Sequence, residues 1–306
     1  MKRILSISIA CLSVCVSHAQ TPLYTDGLMM PKKDLGLGLF YGHDQWTKFW
    51  QGTARKENGN IGKITTQSVT WMGAYGLTEK ISLIATLPYV WTKASGGTLH
   101  GMAGLQDLTV AAKYNFLSAN LGKSDLKFFG LMAFSMPMSN YAVDLLPLSI
   151  GLGSKNISYR LTGSYIYNQV WFAALSGAYT WRSNVFLDRP GYYNNGQLYS
   201  SNEVRMPNLF DFIVRMGYHK DRLRGELYYA QQNTFGGGDI LGWNVPPLTS
   251  NQMNFIKAGA SIMYAPPKLK NLAIRAWGNY TFAGRNVGQS TTVTLGAMYF
   301  IHFSKN

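Results

Sequence analysis

Cysteine is almost missing from this chain: Cys11 and Cys15 are the only two in 306 residues. Both fall in an N-terminal run that reads as a secretory leader, with Lys2 and Arg3, an apolar stretch from Ile4 to Val16, and Ser17-His18-Ala19 ahead of Gln20. Cleavage after Ala19 would leave a mature chain with no thiol, which excludes disulfide frameworks and thiolate chemistry. Cys15 after Leu12-Ser13-Val14 offers a lipoprotein alternative, but Val14 is bulky for the position before a lipidated cysteine. Charge is scarce too. Charged residues make up 14% of the chain, against about a quarter in a soluble protein, so much of the surface is expected to face something other than water. A soluble β-sandwich is the alternative that composition leaves open. After residue 19 no apolar run is long enough to span a bilayer as a helix.

Acidic residues are fewer than basic ones. Removing the leader leaves 26 Lys and Arg against 14 Asp and Glu, yet the cations are scattered rather than gathered in one patch, and a nucleic-acid partner is not expected. Lys80, Lys123, Lys220, Arg222, Lys268 and Lys270 fall in predicted turns and read as solvated charges bordering a membrane. Arg55 and Lys56 could meet anionic head groups of outer-membrane lipid. Histidine is sparse, with His43, His100, His219 and His302 in the mature chain. No histidine and carboxylate spacing suggests a metal site, and no cofactor is expected. Gly236-Gly237-Gly238 lacks the context of a phosphate loop and reads as a flexible loop.

Aromatics and glycine, by contrast, are abundant: 19 Tyr, 15 Phe, 8 Trp and 32 Gly. They are distributed with period two. Strands are predicted over 34–42, 64–75, 80–92, 106–116, 125–138, 156–167, 170–182, 208–218, 222–233, 253–264, 271–283 and 291–303. In the third, Ile81, Leu83, Ala85, Leu87, Tyr89 and Trp91 share a face. In the twelfth, Val293, Leu295, Ala297, Tyr299, Ile301 and Phe303 oppose Thr292, Thr294, Gly296 and His302. Strands of this length, apolar on one face, predict an all-β fold: an antiparallel transmembrane β-barrel of about twelve strands, since a closed barrel satisfies its backbone hydrogen bonds in lipid. The organisation expected is a signal peptide over 1–19, a periplasmic lead-in over 20–33 and the barrel over 34–306. Pro88 and Pro137 mark bulges or rim positions.

Long connections follow odd-numbered strands and short ones follow even-numbered strands. Because bacterial barrels carry long external loops and short periplasmic turns, both termini are expected in the periplasm. Tyr75, Phe116, Tyr167, Tyr218, Tyr264 and Phe303 would form the periplasmic aromatic girdle, with Tyr41, Trp91, Phe134, Trp181, Tyr229 and Phe282 as candidates for the outer one.

Alternation turns a set of charges inward. Asp107, Lys113, Arg160, Asp211, Arg215, Arg224, Glu226, Lys257 and Arg275 are the expected lumen charge network. Such a set either stiffens and plugs a small barrel or lines a path whose charge selects solutes. Trp46, Phe49 and Trp50 in the first external loop are candidates for solute entry, or else lie in the outer lipid interface. His43 at the outer rim is where a lipid hydrolase would work, but it sits in no serine-hydrolase motif.

Several motifs look familiar. Tyr75-Gly76-Leu77-Thr78 opens a strand that ends in Leu87-Pro88-Tyr89. Gly101-Met102-Ala103-Gly104 then leads to Gln106-Asp107-Leu108 and Lys113-Tyr114. With these the chain resembles the outer-membrane transporters grouped as the MetA-pathway phenol-degradation family, although Gln106 stands where the family pattern has glycine. From its sequence Gly76 is expected to supply the positive backbone dihedral of a tight turn. The resemblance implies an outer-membrane barrel that passes aromatic or other hydrophobic compounds. The reading is therefore a passive channel or transporter for small molecules in the Gram-negative outer membrane, not an enzyme. The alternatives are a structural or loop-binding barrel with a plugged lumen and a lipid-modifying enzyme.

Overall fold

A computed structural model describes residues 29–241 and 247–303. The leader and most of the lead-in lie outside the described residues. Twelve long strands form the wall: β1 (Asp34–Trp46), β2 (Ile64–Gly76), β3 (Ile81–Ala94), β4 (Asp107–Asn120), β5 (Ser124–Pro137), β6 (Asn156–Tyr167), β7 (Trp171–Arg182), β8 (Leu209–Lys220), β9 (Leu223–Thr234), β10 (Asn254–Tyr264), β11 (Leu272–Arg285) and β12 (Thr291–His302). Each pairs antiparallel with its sequence neighbours, and β1 also pairs with β12, from Asp34 opposite His302 to Gln45 opposite Thr291. That last pairing closes the sheet. A closed sheet has no edge strand, so the backbone hydrogen bonds of the wall are satisfied within it. Among the described residues no helix is long and apolar enough to cross a membrane.

Side chains alternate as the sequence predicts. Along β12, Val293, Leu295 and Tyr299 are exposed outward while Thr292, Thr294, Met298 and Phe300 are buried inward. Of the six aromatics expected in a periplasmic girdle, Tyr75, Phe116, Tyr167, Tyr218 and Tyr264 lie near the ends of β2, β4, β6, β8 and β10, beside the short turns, and Phe303 lies just past β12. Phe116 occupies a bulge opposite β5, where pairing slips between Asn115 and Leu117. Pro88 marks a second irregularity: between Thr86 opposite Thr109 and Tyr89 opposite Leu105 the partner side carries one extra residue. Gln106 bonds there to the Pro88 carbonyl. A proline without an N–H fits where the ladder is already broken.

Two glycines carry different reasons. Gly76 does not adopt a positive φ, contrary to its sequence reading. A Cβ there would collide with the Pro31 carbonyl, so close approach of the lead-in chain requires glycine. Gly38 faces the ring of Phe40, which stands 2.7 Å from where a Cβ would sit, and this lets Phe40 lie flat inside the barrel.

Long loops gather at the opposite end from the short turns. Leu152, Val185, Leu187, Val204, Met206 and Leu248 form an apolar cluster among three of them. The loop between β5 and β6 bends inward: Thr92 Oγ1 donates to the Leu148 carbonyl at 2.6 Å, and Tyr141 Oη donates to Asp107 at 2.9 Å. Burial pushes the Tyr141 phenol above its ordinary range, so it stays protonated as the donor. The loop therefore roofs the lumen rather than standing off it.

Candidate solute pathway

At the loop end the wall and the inward loops enclose a cavity of about 320 Å³. Its walls are apolar, with Trp46, Ile61, Leu152, Met253, Phe255 and Val287 prominent, and Asp44, Gln232 and Lys257 bring polar groups to it from the strands. Pockets of this kind, mostly apolar with a few polar groups, take small organic molecules. The carboxylate of Asp44 accepts from Thr292 at 2.7 Å through one oxygen. Its other oxygen has no partner among the described residues.

Trp46 and Phe49 line this cavity with ring centroids 6.4 Å apart. Trp50 lies beside them. It packs on Gly284 of β11, and its N–H donates to the Val287 carbonyl at 2.9 Å. Of these candidates for solute entry, Trp46 and Trp50 are buried and Phe49 is half-buried. Trp46 is the buried last residue of β1, and a hairpin, Lys48–Gln51 against Ala54–Glu57, folds over the mouth and carries Phe49 and Trp50 with it.

A latch closes the cavity on another side. Arg285 grips Asp239 with two bonds, at 2.8 and 2.6 Å. Asn286 donates to Asp239, Gly238 and Gln252 and accepts from the N–H groups of Gly52 and Ile240. Hydrogen bonds from Arg285 hold the Asp239 carboxyl below its ordinary value. Gly236 and Gly237 have positive φ, and Gly237 presses on Asn251. The glycine run is thus a fitted segment, not the loose loop its composition suggested.

Further into the barrel the interior divides into two faces. One is apolar: Phe40, Met72, Ala74, Ile84, Leu131, Met298 and Phe300 cluster on β1–β5 and β12, joined by Trp277 of β11 and by Met30 of the lead-in. Phe40 and Trp277 meet with ring centroids 5.4 Å apart. The other face is charged. Arg160 of β6 bonds Asp211 of β8. Glu226 of β9 takes Arg215 and Arg275 at 2.7 Å each and Arg224 at 3.5 Å. All are buried.

Every member of the sequence-predicted charge set points inward and is buried, although not all belong to one cluster. Asp107 stands at the loop end, bonded by Tyr141. Lys113 lies over the ring of Phe129 at 4.9 Å, and Lys257 over that of Phe255 at 4.7 Å. Aromatic faces attract cations, and three arginines use them as well: Arg224 sits 3.9 Å from the centroid of Phe172, Arg215 5.2 Å from Tyr228 and Arg275 5.6 Å from Trp277. Sequence reading missed Asp44 and Arg182, both buried inside the barrel. The predicted first strand stopped at 42, short of Asp44, because a run of mixed polar residues hides its continuation to Trp46. Arg182 ends β7, and a terminal residue reads as rim. His43 lies on the outward face of β1, between Gln67 and Val293.

Three comparisons bear on this geometry. A search of curated proteins found no match. Among solved structures, an outer membrane channel of the COG4313 group from Pseudomonas putida F1 superposes with a TM-score of 0.70 at 15% identity, covering 89% of this chain and 97% of that one. The NanC porin covers 86% of this chain and 98% of its own at 8% identity, with a TM-score of only 0.48. At 15% identity the likeness to the P. putida channel shows the fold alone, a barrel of outer-membrane type. The family model described as "Putative MetA-pathway of phenol degradation" matches residues 58–296, more than three quarters of the sequence, and the chain belongs to that family.

Proposed function

We propose that this barrel is a passive outer-membrane channel for small apolar molecules, with loops outside, turns and both termini in the periplasm, and residues 1–19 removed on export. The apolar cavity under the loops carries the reading. A solute leaving water would gain by burying its surface there, at roughly 25 cal/mol per Å², before passing between the two faces of the lumen. The P. putida relative, a channel by its description, supports the assignment. Trp46 of β1 and Phe49 line the first stop, and Trp50 fixes the hairpin that carries Phe49.

Uptake into proteoliposomes of a panel of aromatic, aliphatic and sugar solutes tests it. Aromatic and aliphatic compounds should enter faster than in protein-free vesicles, and Trp46→Ala should slow them. A purified barrel that conducts no ions and speeds no solute would overturn the proposal. One observation favours a second reading: Arg215 and Glu226 are almost wholly buried, as expected of a layer that plugs the lumen and leaves the loops as the working surface. Null results in both uptake and conductance would favour it.

A further inference from the structure

We propose that the charged face is a track for anionic groups, so that the preferred solutes are apolar organic acids, molecules with one apolar body and one carboxylate. This rests on the channel function above and names its substrate class. The first observation is spacing. In register along β7, Arg182 stands at its own position, Arg160 opposite Ala178, Arg215 opposite Ala174, and Arg224 level with Val170 through His219. The backbone positions of the four arginines therefore recur every four residues, roughly 13 Å along the strand, from the loop end to the turn end, and the side chains of Arg215 and Arg224 converge on Glu226.

The second observation is imbalance. Among the described residues seven buried cations share the interior with five buried carboxylates, and Glu226 alone serves three arginines. Burying a cation without full compensation is costly, and two of the four are left with open hydrogen-bonding capacity. Among the described residues Arg182 is in no ion pair, the charge of Asp107 acting on it without a bond, and its Nε and Nη1 have no partner. Arg224 reaches Glu226 only at 3.5 Å, and its Nε has none. These two stand at opposite ends of the series. A planar fork of donors of this kind fits a carboxylate. The third observation is the apolar face of Phe40, Met72, Leu131 and Met298, which belongs to the same lumen. A solute moving along the arginines would keep its charge on one face and its apolar body on the other.

Three probes of one shape separate charge from hydrophobicity: benzoate, benzylammonium and benzyl alcohol. Binding to the full-length barrel in micelles is measured by calorimetry, and permeation by reversal potentials across planar bilayers. Benzoate should bind at least about tenfold more tightly than benzylammonium and permeate in preference to it, the effect of one charge-assisted hydrogen bond. Arg182→Gln and Arg224→Gln, with folding checked by circular dichroism and heat-dependent gel migration, should each weaken benzoate binding, and Arg182→Lys should restore part of it. Equal binding of benzoate and benzylammonium overturns the proposal, as does a benzoate preference that survives both glutamine variants. If benzyl alcohol and benzylammonium permeate while benzoate neither binds nor permeates, the channel stands and the anion track falls. If benzoate binds preferentially but nothing permeates, the track stands as a binding site and the channel falls.

Discussion

The two faces of the lumen arise from the same alternation of residues and are held together by opposite physics. On the apolar face, contacts are short-range and forgiving: Phe40 rests on Gly38 and Trp277, and its neighbours are methionines and small aliphatics. On the charged face most groups depend on another, because Arg160 needs Asp211 and three arginines need Glu226. Removing a methyl group from the first leaves a gap. Removing one carboxylate from the second leaves charge buried without compensation, so the charged face should be the more brittle of the two.

Glu226→Gln gives the largest expected effect, since it strands Arg215, Arg224 and Arg275. Breaking a buried ion pair from one side costs about 3–5 kcal/mol, to be read from urea unfolding of the barrel in micelles. Phe40→Ala should follow at about 3 kcal/mol, the lower end for a buried phenylalanine. A loss equal to or above that of Glu226→Gln would break the comparison between the faces. Asp239→Asn should loosen the latch by about 1 kcal/mol, seen as faster proteolysis of the loop between β9 and β10 with the barrel midpoint unchanged. The same latch should respond to acid. Its carboxyl is held below the ordinary value in the folded state, so its contribution is complete above the ordinary carboxylate range and fades as pH falls through the lowered value. Proteolysis of this loop should therefore accelerate on acidification in the wild type and lose that dependence in Asp239→Asn. The smallest effect sought is at a glycine pair. Gly73→Ala meets nothing within 4 Å and should be close to neutral, whereas Gly76→Ala should free the lead-in chain at Pro31, read as protease access to residues 29–33.

Much of this was legible before any coordinates. Period two in β3 and β12 set which residues point inward, since a strand offers only two faces, and the nine inward charges follow from that rule alone. Strand ends were harder: β1 runs to Trp46 and β4 to Asn120, past the point where polar loop-like residues break the pattern. The glycine run at 236–238 and the role of Gly76 were misread because each is decided by a chain segment distant in sequence, Asn251 in one case and Pro31 in the other.

By itself the sequence determined an all-β barrel of twelve strands, its two kinds of end and the inward direction of its charges. These are consequences of local alternation and of a bilayer that permits only helices and closed sheets. Tertiary structure alone decided that Glu226 gathers three arginines, that Arg182 and Arg224 keep unused donors, and that Trp46 and Phe49 turn in to line a cavity. Those facts depend on which strands become neighbours in register and on how loops fold across the mouth, and the pattern within any single strand carries no record of either.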